Sequence, residues 1–291
     1  MSVIEVRNIT KNYGSTCALN NISARIEPNM IYGLLGRNGA GKTTLLNLIT
    51  NSLFPTSGVI TVDGENVLEN DNAIGKMFYM TEKNFYPEGM RIKEIFRWAK
   101  EFYPSFDMGY AFALCKSFGL NPNKKVKALS TGYNSIAKLI AALASNAQIL
   151  IFDEPVLGLD AHHRDMFYKE LLNSYIKNPK TIILSTHIID EIADMLERVI
   201  IIKDKKVLID ESVEKILEAA YCVSGAAENV DKYIEGRKCI NIEQLGSFKA
   251  ATIIGETTDK DKSSAEELTL EFSKVKLQKL FIHLTGEGDR V

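Results

Sequence analysis

A glycine-rich stretch carries the residue types best suited to chemistry in this chain. It runs from Gly36 to Thr43 in the pattern G-x-x-x-x-G-K-[ST], and its glycines let backbone N–H groups converge on one anion. Lys42 supplies a positive charge suited to the β- and γ-phosphates of a nucleotide, and Thr43 offers a hydroxyl to Mg²⁺. The pattern predicts a nucleoside triphosphate site whose contacts are Gly36, Arg37, Asn38, Gly39, Ala40, Gly41, Lys42, Thr43 and Thr44.

A pair of acidic residues provides the second part of this chemistry. Asp153 and Glu154 follow the apolar run Ile149–Phe152, which is typical of a buried strand. At the carboxyl end of such a strand, Asp153 can hold Mg²⁺ beside Thr43. Glu154 is placed to polarise a water molecule for attack on the γ-phosphate. We therefore expect a catalytic base at position 154 and a metal site formed by Thr43 and Asp153.

The surrounding elements predict how these residues are positioned. The apolar segment Ile31–Leu35 indicates a strand before the glycine-rich stretch, and Thr43–Thr50 indicates a helix after it. Further along the chain strands and helices alternate, which favours an α/β fold with a mostly parallel sheet covered on both faces. Short strands near the N-terminus predict an antiparallel β subdomain, and successive helical segments over about residues 88–145 predict a helical insertion.

Four further motifs occur in the order found in ATP-binding cassette (ABC) ATPases. Leu129–Tyr133 resembles that family's signature motif, written LSGGQ, and Gly158–Asp160 matches its D-loop. Ser185–His187 matches the segment with its switch histidine, and Tyr13 lies where an aromatic residue stacks on adenine. Residues 1 to about 220 therefore resemble an ABC ATPase. The resemblance implies that family's version of the P-loop NTPase fold.

The resemblance also implies a head-to-tail dimer that encloses two ATP molecules. Each ATP would contact Lys42 and Thr43 of one chain and Ser130 and Gly132 of the other. The second chain is either another copy or one half of a heterodimer. A physical argument supports this arrangement, because a helix is expected to begin at Ser130, and its hydroxyl, free N–H groups and dipole suit a γ-phosphate. The resemblance assigns catalysis to Lys42, Glu154 and His187, and nucleotide binding outside the glycine-rich stretch to Tyr13, Ser130, Gly132 and Asp160.

Two places depart from the family's pattern. The apolar segment Ile74–Met80 predicts a buried strand, after which the family usually carries a Gln that contacts Mg²⁺ and the attacking water, whereas this chain has Glu82. A carboxylate can still bind the metal, but near a triphosphate it adds a repulsion of about 1 kcal/mol at roughly 4 Å in water. We therefore expect Glu82 to contact the metal, with either slower hydrolysis than is usual in the family or docking of this loop that depends on the metal. In the signature motif Thr131 and Tyr133 replace Gly and Gln, and a β-branched Thr131 requires an ordinary helical start.

The composition bears on the kinds of partner. The 291 residues carry a formal net charge of −2, which excludes bulk attraction to nucleic acid. The four cysteines are scattered without a C-x-x-C pair, which argues against a zinc site or a disulfide framework. The N-terminus lacks the pattern of a signal peptide, and polar residues interrupt the most apolar stretch, Ile136–Phe152. A permease would therefore be a separate chain that holds this one at the cytoplasmic face of the membrane.

The pattern loosens toward the C-terminus. We expect a nucleotide-binding domain over residues 1–212 and a small α+β accessory domain over residues 213–291. Expected details are a helix at Ile188–Leu196, a polar loop at 256–266 and a last helix at Lys276–Leu284. The tail resembles that of bacterial exporters whose ATPase and membrane subunits are separate chains. Among these the resemblance is closest to exporters of antimicrobial or amphipathic peptides, such as the phenol-soluble modulin type.

Two other classes of protein share parts of this pattern. A non-transport ABC ATPase that acts on nucleic acid or the ribosome would typically add a coiled coil, zinc cysteines or a second cassette, and the sequence contains none of these. A P-loop kinase or GTPase would lack the signature motif, the D-loop and the switch histidine. We therefore expect the ATP-hydrolysing subunit of an ABC transporter, for which the resemblance implies export of a peptide or amphipathic substrate, with the non-transport ABC ATPase as the alternative.

Overall fold

The computed structural model describes residues 2–255 and 257–286, which fall into two compact units. The first unit comprises the chain up to His187 together with Arg198–Asp210. The second comprises Ile188–Glu197 together with the chain from Glu211 onward. The assignment of domains to residues 1–212 and 213–291 stays a prediction.

The first unit alternates strands and helices. In chain order its elements are β1 (Ile4–Tyr13), β2 (Thr16–Ile26), β3 (Ile31–Leu35), α1 (Lys42–Ile49), β4 (Ser57–Val62), β5 (Glu65–Asn66), α2 (Asp71–Ile74), β6 (Met77–Met80), α3 (Ile92–Phe102), α4 (Met108–Ser117), α5 (Thr131–Ala144), β7 (Ile149–Asp153), α6 (Ala161–Lys177), β8 (Thr181–Ser185), β9 (Arg198–Lys203) and β10 (Lys206–Ser212). A short 3₁₀ turn, Val126–Ala128, precedes α5.

A six-stranded sheet forms the centre of this unit. Its strand order is β10-β9-β3-β8-β7-β6, and the five strands from β9 to β6 run parallel. All residues of β3, β7 and β8 are buried, as expected for parallel strands covered on both faces. Because parallel strands end at the same edge of a sheet, the turns that follow β3, β7 and β8 meet at that edge.

Two further regions belong to the first unit. Strands β2, β1, β4 and β5 form an antiparallel sheet in that order. Helices α3, α4 and α5 follow one another in the chain, and α5 packs against both of the others. These features confirm the predicted α/β fold with an antiparallel β subdomain and a helical insertion. The strand predicted from Ile74 begins later, at Met77, because Asn70 caps the short helix α2, which ends at Ile74.

The second unit is a small α+β fold, as predicted. Its elements are α7 (Val213–Glu218), β11 (Ala220–Ala226), α8 (Ala227–Ile234), β12 (Cys239–Leu245), β13 (Phe248–Ile254), α9 (Asp259–Glu267), β14 (Glu271–Lys274) and α10 (Leu277–Thr285). The strands form an antiparallel sheet in the order β12-β13-β11-β14. Its core includes Tyr221, Val223, Tyr233 and Ile253.

Two expectations for the second unit are wrong. The segment Ile188–Leu196 forms two 3₁₀ turns instead of one helix, and no side chain caps its start. The described part of the expected polar loop 256–266 contains most of α9, while Glu256 lies outside the described residues. A capping box formed by Thr258 and Asp261 starts this helix despite its polar sequence. Across the two described ranges, every helix is too short or too polar to cross a bilayer.

Candidate functional site

The glycine-rich stretch forms the turn between β3 and α1. Gly39 and Gly41 have φ values of 74° and 114°, in the left-handed region that favours glycine. A Cβ at Gly41 would lie 2.8 Å from the backbone carbonyl oxygen of Ala18, which together with the positive φ disfavours any side chain at this position. Helix α1 begins at Lys42, and its first N–H groups and the positive end of its dipole therefore face this turn.

Lys42 folds back over the turn. Its ammonium donates to the carbonyl oxygens of Gly36 at 2.6 Å and Arg37 at 3.4 Å. Burial lowers the pKa of Lys42, and the carboxylates of Glu154 and Asp153 act in the opposite direction. A buried cation is thus held at the turn beside two carboxylates, where phosphate oxygens could replace the two carbonyls as acceptors.

Two hydroxyls hold Asp153 at the end of β7. Thr43 Oγ1 donates to Asp153 Oδ2 at 2.6 Å, and Ser185 Oγ donates to Oδ1 at 2.9 Å. The Thr43 hydroxyl and the Asp153 carboxylate form an all-oxygen donor pair, which fits Mg²⁺ bound together with substrate phosphates. Within the residues that the structure describes, no cluster of three or more His, Cys, Asp or Glu side chains could hold a metal ion. Two protein oxygens leave most of the coordination shell of Mg²⁺ open, so a metal at this pair would also bind phosphate oxygens or water.

Glu154 begins the turn after β7 in a strained backbone conformation. Its φ is 49°, and the left-handed region costs a non-glycine residue about 1–2 kcal/mol. Its N–H donates to the Ser185 carbonyl at 2.8 Å. Its Oε2 lies 2.8 Å from His187 Nδ1 and 3.3 Å from Thr186 Oγ1. The structure thus brings His187 to Glu154 and holds the carboxylate in one orientation.

The glycine-rich turn and the two carboxylates after β7 line an open cleft of about 400 Å³, whereas His187 is not in its lining. The expected site residues that line it are Asn38, Gly39, Ala40, Gly41, Lys42, Thr43, Thr44, Glu82, Asp153 and Glu154. Thr16, Cys17, Ala18 and Lys205 also line it and were not predicted. Lys205 lies in the turn between β9 and β10, and its ammonium donates to the carbonyl of Gly39. Lys205 could have been identified from the pairing of β9 with β3. These parallel strands end at the same sheet edge, so the turn after β9 lies beside the glycine-rich turn after β3.

Tyr13 lies next to this cleft, at the end of β1. It pairs with Thr16, which does line the cleft. Its ring is half-exposed, and the Lys11 ammonium lies 5.1 Å from the ring centroid. An exposed ring at this position is compatible with stacking on a base, and the adenine contact stays a prediction.

Ser130, Gly132 and Asp160 are not among the described residues that line the cleft. Ser130 caps α5 by accepting a backbone N–H at 3.3 Å. Asp160 caps α6 by accepting the N–H of His163 at 2.9 Å, and this bond lowers the pKa of Asp160. A Cβ at Gly132 would lie 2.7 Å from the carbonyl oxygen of Gly158. The structure therefore joins the signature motif and the D-loop to each other.

Comparison with known proteins identifies the family. The sequence model of the ABC transporter family matches residues 19–157. The ABC transporter ATP-binding protein NatA of Bacillus subtilis is 32% identical over 212 residues, which cover 69% of this chain and 85% of NatA. This chain belongs to the ABC transporter ATP-binding proteins. ATP hydrolysis is the known activity of the ABC ATPase domain, so the chain is an ATPase.

Two other relatives and one solved structure extend the comparison. The ABC transporter ATP-binding protein YtrB of Bacillus subtilis is 27% identical over 263 residues, or 90% of this chain and 89% of YtrB. The bacitracin transport ATP-binding protein BcrA of Enterococcus faecalis is 33% identical over 199 residues, or 67% of this chain and 64% of BcrA. The structure of an ATP-binding subunit of an ABC transporter superposes with a TM-score of 0.67 at 22% identity, over 74% of this chain and 91% of that one, which supports the ABC ATPase fold.

Proposed function

We propose that this ABC ATPase supplies energy to a bacterial exporter, as one of two ATPase subunits that act on a separate permease at the cytoplasmic face of the membrane. The observation that carries the proposal is the arrangement after β7 and β8, where two hydroxyls hold Asp153 and His187 meets Glu154. Together with the glycine-rich turn, it supplies the groups that ATP binding and hydrolysis require.

The side chains divide this work among themselves. Lys42 exchanges the loop carbonyls for phosphate oxygens, and the first N–H groups of α1 bind the same phosphates. Mg²⁺, held by Thr43, Asp153 and phosphate oxygens, would neutralise negative charge on the phosphates. Glu154 accepts a proton from the attacking water, and His187 orients the carboxylate of Glu154.

We propose that the partner chain supplies the other half of each ATP site. Ser130 is exposed at the start of α5, where the helix dipole and the first N–H groups suit an anion. Gly132 follows within the same first turn, and Asp160 begins α6. In a head-to-tail pair, these residues of one chain would face the nucleotide held by Lys42 and Thr43 of the other. The partner is a second copy of this chain or a related ATPase.

A second groove supports contact with a permease. It has a volume of about 320 Å³, and Met77, Tyr79, Phe85 and Tyr103 contribute to its lining. Phe85 is 75% exposed, which is unusual for a phenylalanine. A short amphipathic helix of the permease would place its apolar face in this groove. Glu82, three residues before Phe85, lines the nucleotide cleft, so the same loop would contact both the permease and ATP.

The exported substrate that we propose is a peptide or another amphipathic molecule. The support is the similarity to BcrA, which is named for bacitracin transport. In this scheme the permease binds the substrate, and the ATPase pair closes around ATP and reopens after hydrolysis.

Copurification tests this proposal. A tagged chain should copurify with a polytopic membrane protein encoded next to it, and the complex should hydrolyse ATP only with Mg²⁺. Phe85→Ser should abolish copurification. Phe102→Ser is the matched control, because Phe102 is 76% exposed and does not contribute to the groove lining. Retained copurification with Phe85→Ser would contradict docking at this groove, and ATPase activity stimulated by nucleic acid or ribosomes would overturn the transport assignment.

A further inference from the structure

A buried lysine joins helix α5 to the loop that follows β6. Lys138 lies about two turns from the start of α5 and is 8% exposed. Its ammonium donates to the carbonyl oxygens of Thr81 at 2.7 Å and Glu82 at 2.9 Å, and the carbonyl oxygen of Lys83 lies at 3.5 Å. An ammonium carries three N–H donors, so three successive carbonyls of one loop satisfy this side chain.

An apolar residue would fill the position of Lys138 without the loss of hydration that a buried charge incurs. Burial lowers the pKa of Lys138, and the charge of Glu82 acts in the opposite direction. The neighbours of Lys138 on α5, Ala137 and Leu139, are buried and apolar. Packing alone does not explain the ammonium group of Lys138. Its hydrogen bonds to the loop carbonyls fix the path of the loop backbone.

The loop held by Lys138 faces two proposed sites. Glu82 lines the nucleotide cleft, and Phe85 lines the proposed permease groove. Residues 81–87 form no helix or strand, so side-chain contacts to the loop decide its position. Ser130 caps the N-terminus of α5, and Lys138 bonds to the loop from the same helix, so a shift of α5 relative to the sheet would be passed through Lys138 to the backbone at Glu82.

We propose that Lys138 is a positioning residue that sets the place of Glu82 at the nucleotide cleft and couples it to α5. The proposal rests on the proposed function, in which Ser130 meets the nucleotide of the partner chain, and on the expectation from the sequence that Glu82 contacts Mg²⁺ at the cleft that it lines. Engagement of α5 by the partner's ATP would then change the orientation of Glu82 at the chain's own ATP. One side chain would thereby link the two nucleotides of the pair.

The first test removes the donors of Lys138 and keeps an unbranched side chain that is one atom shorter. Lys138→Met should raise the amide hydrogen exchange of residues 81–87 in the nucleotide-free protein, because the loop loses its anchor. It should lower kcat for ATP about ten- to a hundredfold and raise the Mg²⁺ concentration needed for half-maximal rate, while affinity for a fluorescent ATP analogue stays unchanged. Lys180→Met is the matched control, since Lys180 is 3% exposed and donates to Ser174 Oγ. It should leave loop exchange, kcat and Mg²⁺ dependence as in the wild type.

A double-mutant cycle separates positioning from general destabilisation. The Glu82→Ala variant has no carboxylate for Lys138 to position. Adding Lys138→Met to this variant should therefore change kcat by less than about twofold. If the two substitutions instead multiply their effects, Lys138 does not act through Glu82. Lys138→Arg, which keeps the charge and the donors, should preserve slow loop exchange and most of kcat. If Lys138→Met does not fold, Lys138→Leu, which also lacks donors, takes its place in both experiments.

Failure of this inference is distinguishable from failure of the proposed function. A wild-type complex that does not hydrolyse ATP would contradict the proposed function. A wild-type complex that hydrolyses ATP, alongside a Lys138→Met variant with unchanged loop exchange and unchanged kcat, would overturn only the role of Lys138.

Discussion

Two regions of the chain contain helix starts that suit an anion, yet they are built differently. The phosphate-loop region comprises the glycine-rich turn Gly36–Thr43 with the carboxylates that line the same cleft, and the signature region comprises Ser130–Gly132 with Asp160. In the first, α1 begins after Gly41, and the Thr43 hydroxyl reaches Asp153 from another strand. In the second, α5 and α6 begin after Ser130 and Asp160, whose side chains already accept N–H groups of their own helices. One region is assembled from distant parts of the chain, and the other satisfies itself locally.

The two regions differ in how far the folded chain itself completes them. The bond between Thr43 and Asp153 spans 110 positions, so it forms only when the sheet is assembled, and it is short at 2.6 Å. The cap at Ser130 spans three positions and is long at 3.3 Å. The phosphate-loop region is thus shaped by the fold itself. In the proposed pair, the partner chain's nucleotide would complete the signature region by replacing the long cap bond at Ser130.

The largest expected effect comes from removing the catalytic base of the phosphate-loop region. Glu154→Gln removes the proton acceptor and keeps the shape of the side chain, so hydrolysis should fall about 10²- to 10⁴-fold while ATP binding persists. Single-turnover hydrolysis and binding of a fluorescent ATP analogue measure the two properties. Glu101→Gln, on the exposed surface of α3, is the control and should change neither. Unchanged turnover in Glu154→Gln would remove Glu154 from this role.

Lys42→Ala tests the same region through binding instead of chemistry. A hydrogen bond to a charged group contributes about 1.5–3 kcal/mol, so affinity for ATP should weaken roughly ten- to a hundredfold. Lys206→Ala removes an equal charge from the hairpin beside the cleft but lies outside its lining, and should bind ATP normally. Equal losses in both variants would show that overall charge, and not the position of Lys42, governs binding.

The two regions also differ in how far the sequence predicts them. The turn at Gly36–Thr43 and the strand before Asp153 were predictable because local patterns encode them. Ser185 as a second holder of Asp153 was not, since its contact depends on which strands are neighbours in the sheet. In the C-terminal unit, α9 was missed because a capping box, and not an apolar stripe, marks its start.

Ser130→Ala tests whether the signature region acts on another chain's nucleotide. Loss of the cap costs about 1 kcal/mol in helix stability, which should leave ATP binding to the phosphate loop of the isolated chain unchanged. Hydrolysis by the complex should fall about fivefold or more, because the partner's phosphate loses a hydroxyl contact. Thr131→Ala, at the neighbouring exposed position, is the control. Weaker ATP binding by the isolated Ser130→Ala chain would mean that Ser130 serves the nucleotide of its own chain.

The smallest expected effect concerns Glu82, the third carboxylate of the phosphate-loop region. It lines the cleft with Asp153 and Glu154, so a bound triphosphate meets three negative side chains beside Lys42 and Lys205. Glu82→Gln keeps an oxygen for Mg²⁺ and removes one repulsion of about 1 kcal/mol, which corresponds to an increase in hydrolysis of about fivefold or less. Steady-state ATPase rates at saturating Mg²⁺ measure it. A collapse of activity would mean that the charge of Glu82, and not merely its oxygen, serves the metal, and the phosphate-loop region would then depend on a carboxylate where its relatives' pattern has an amide.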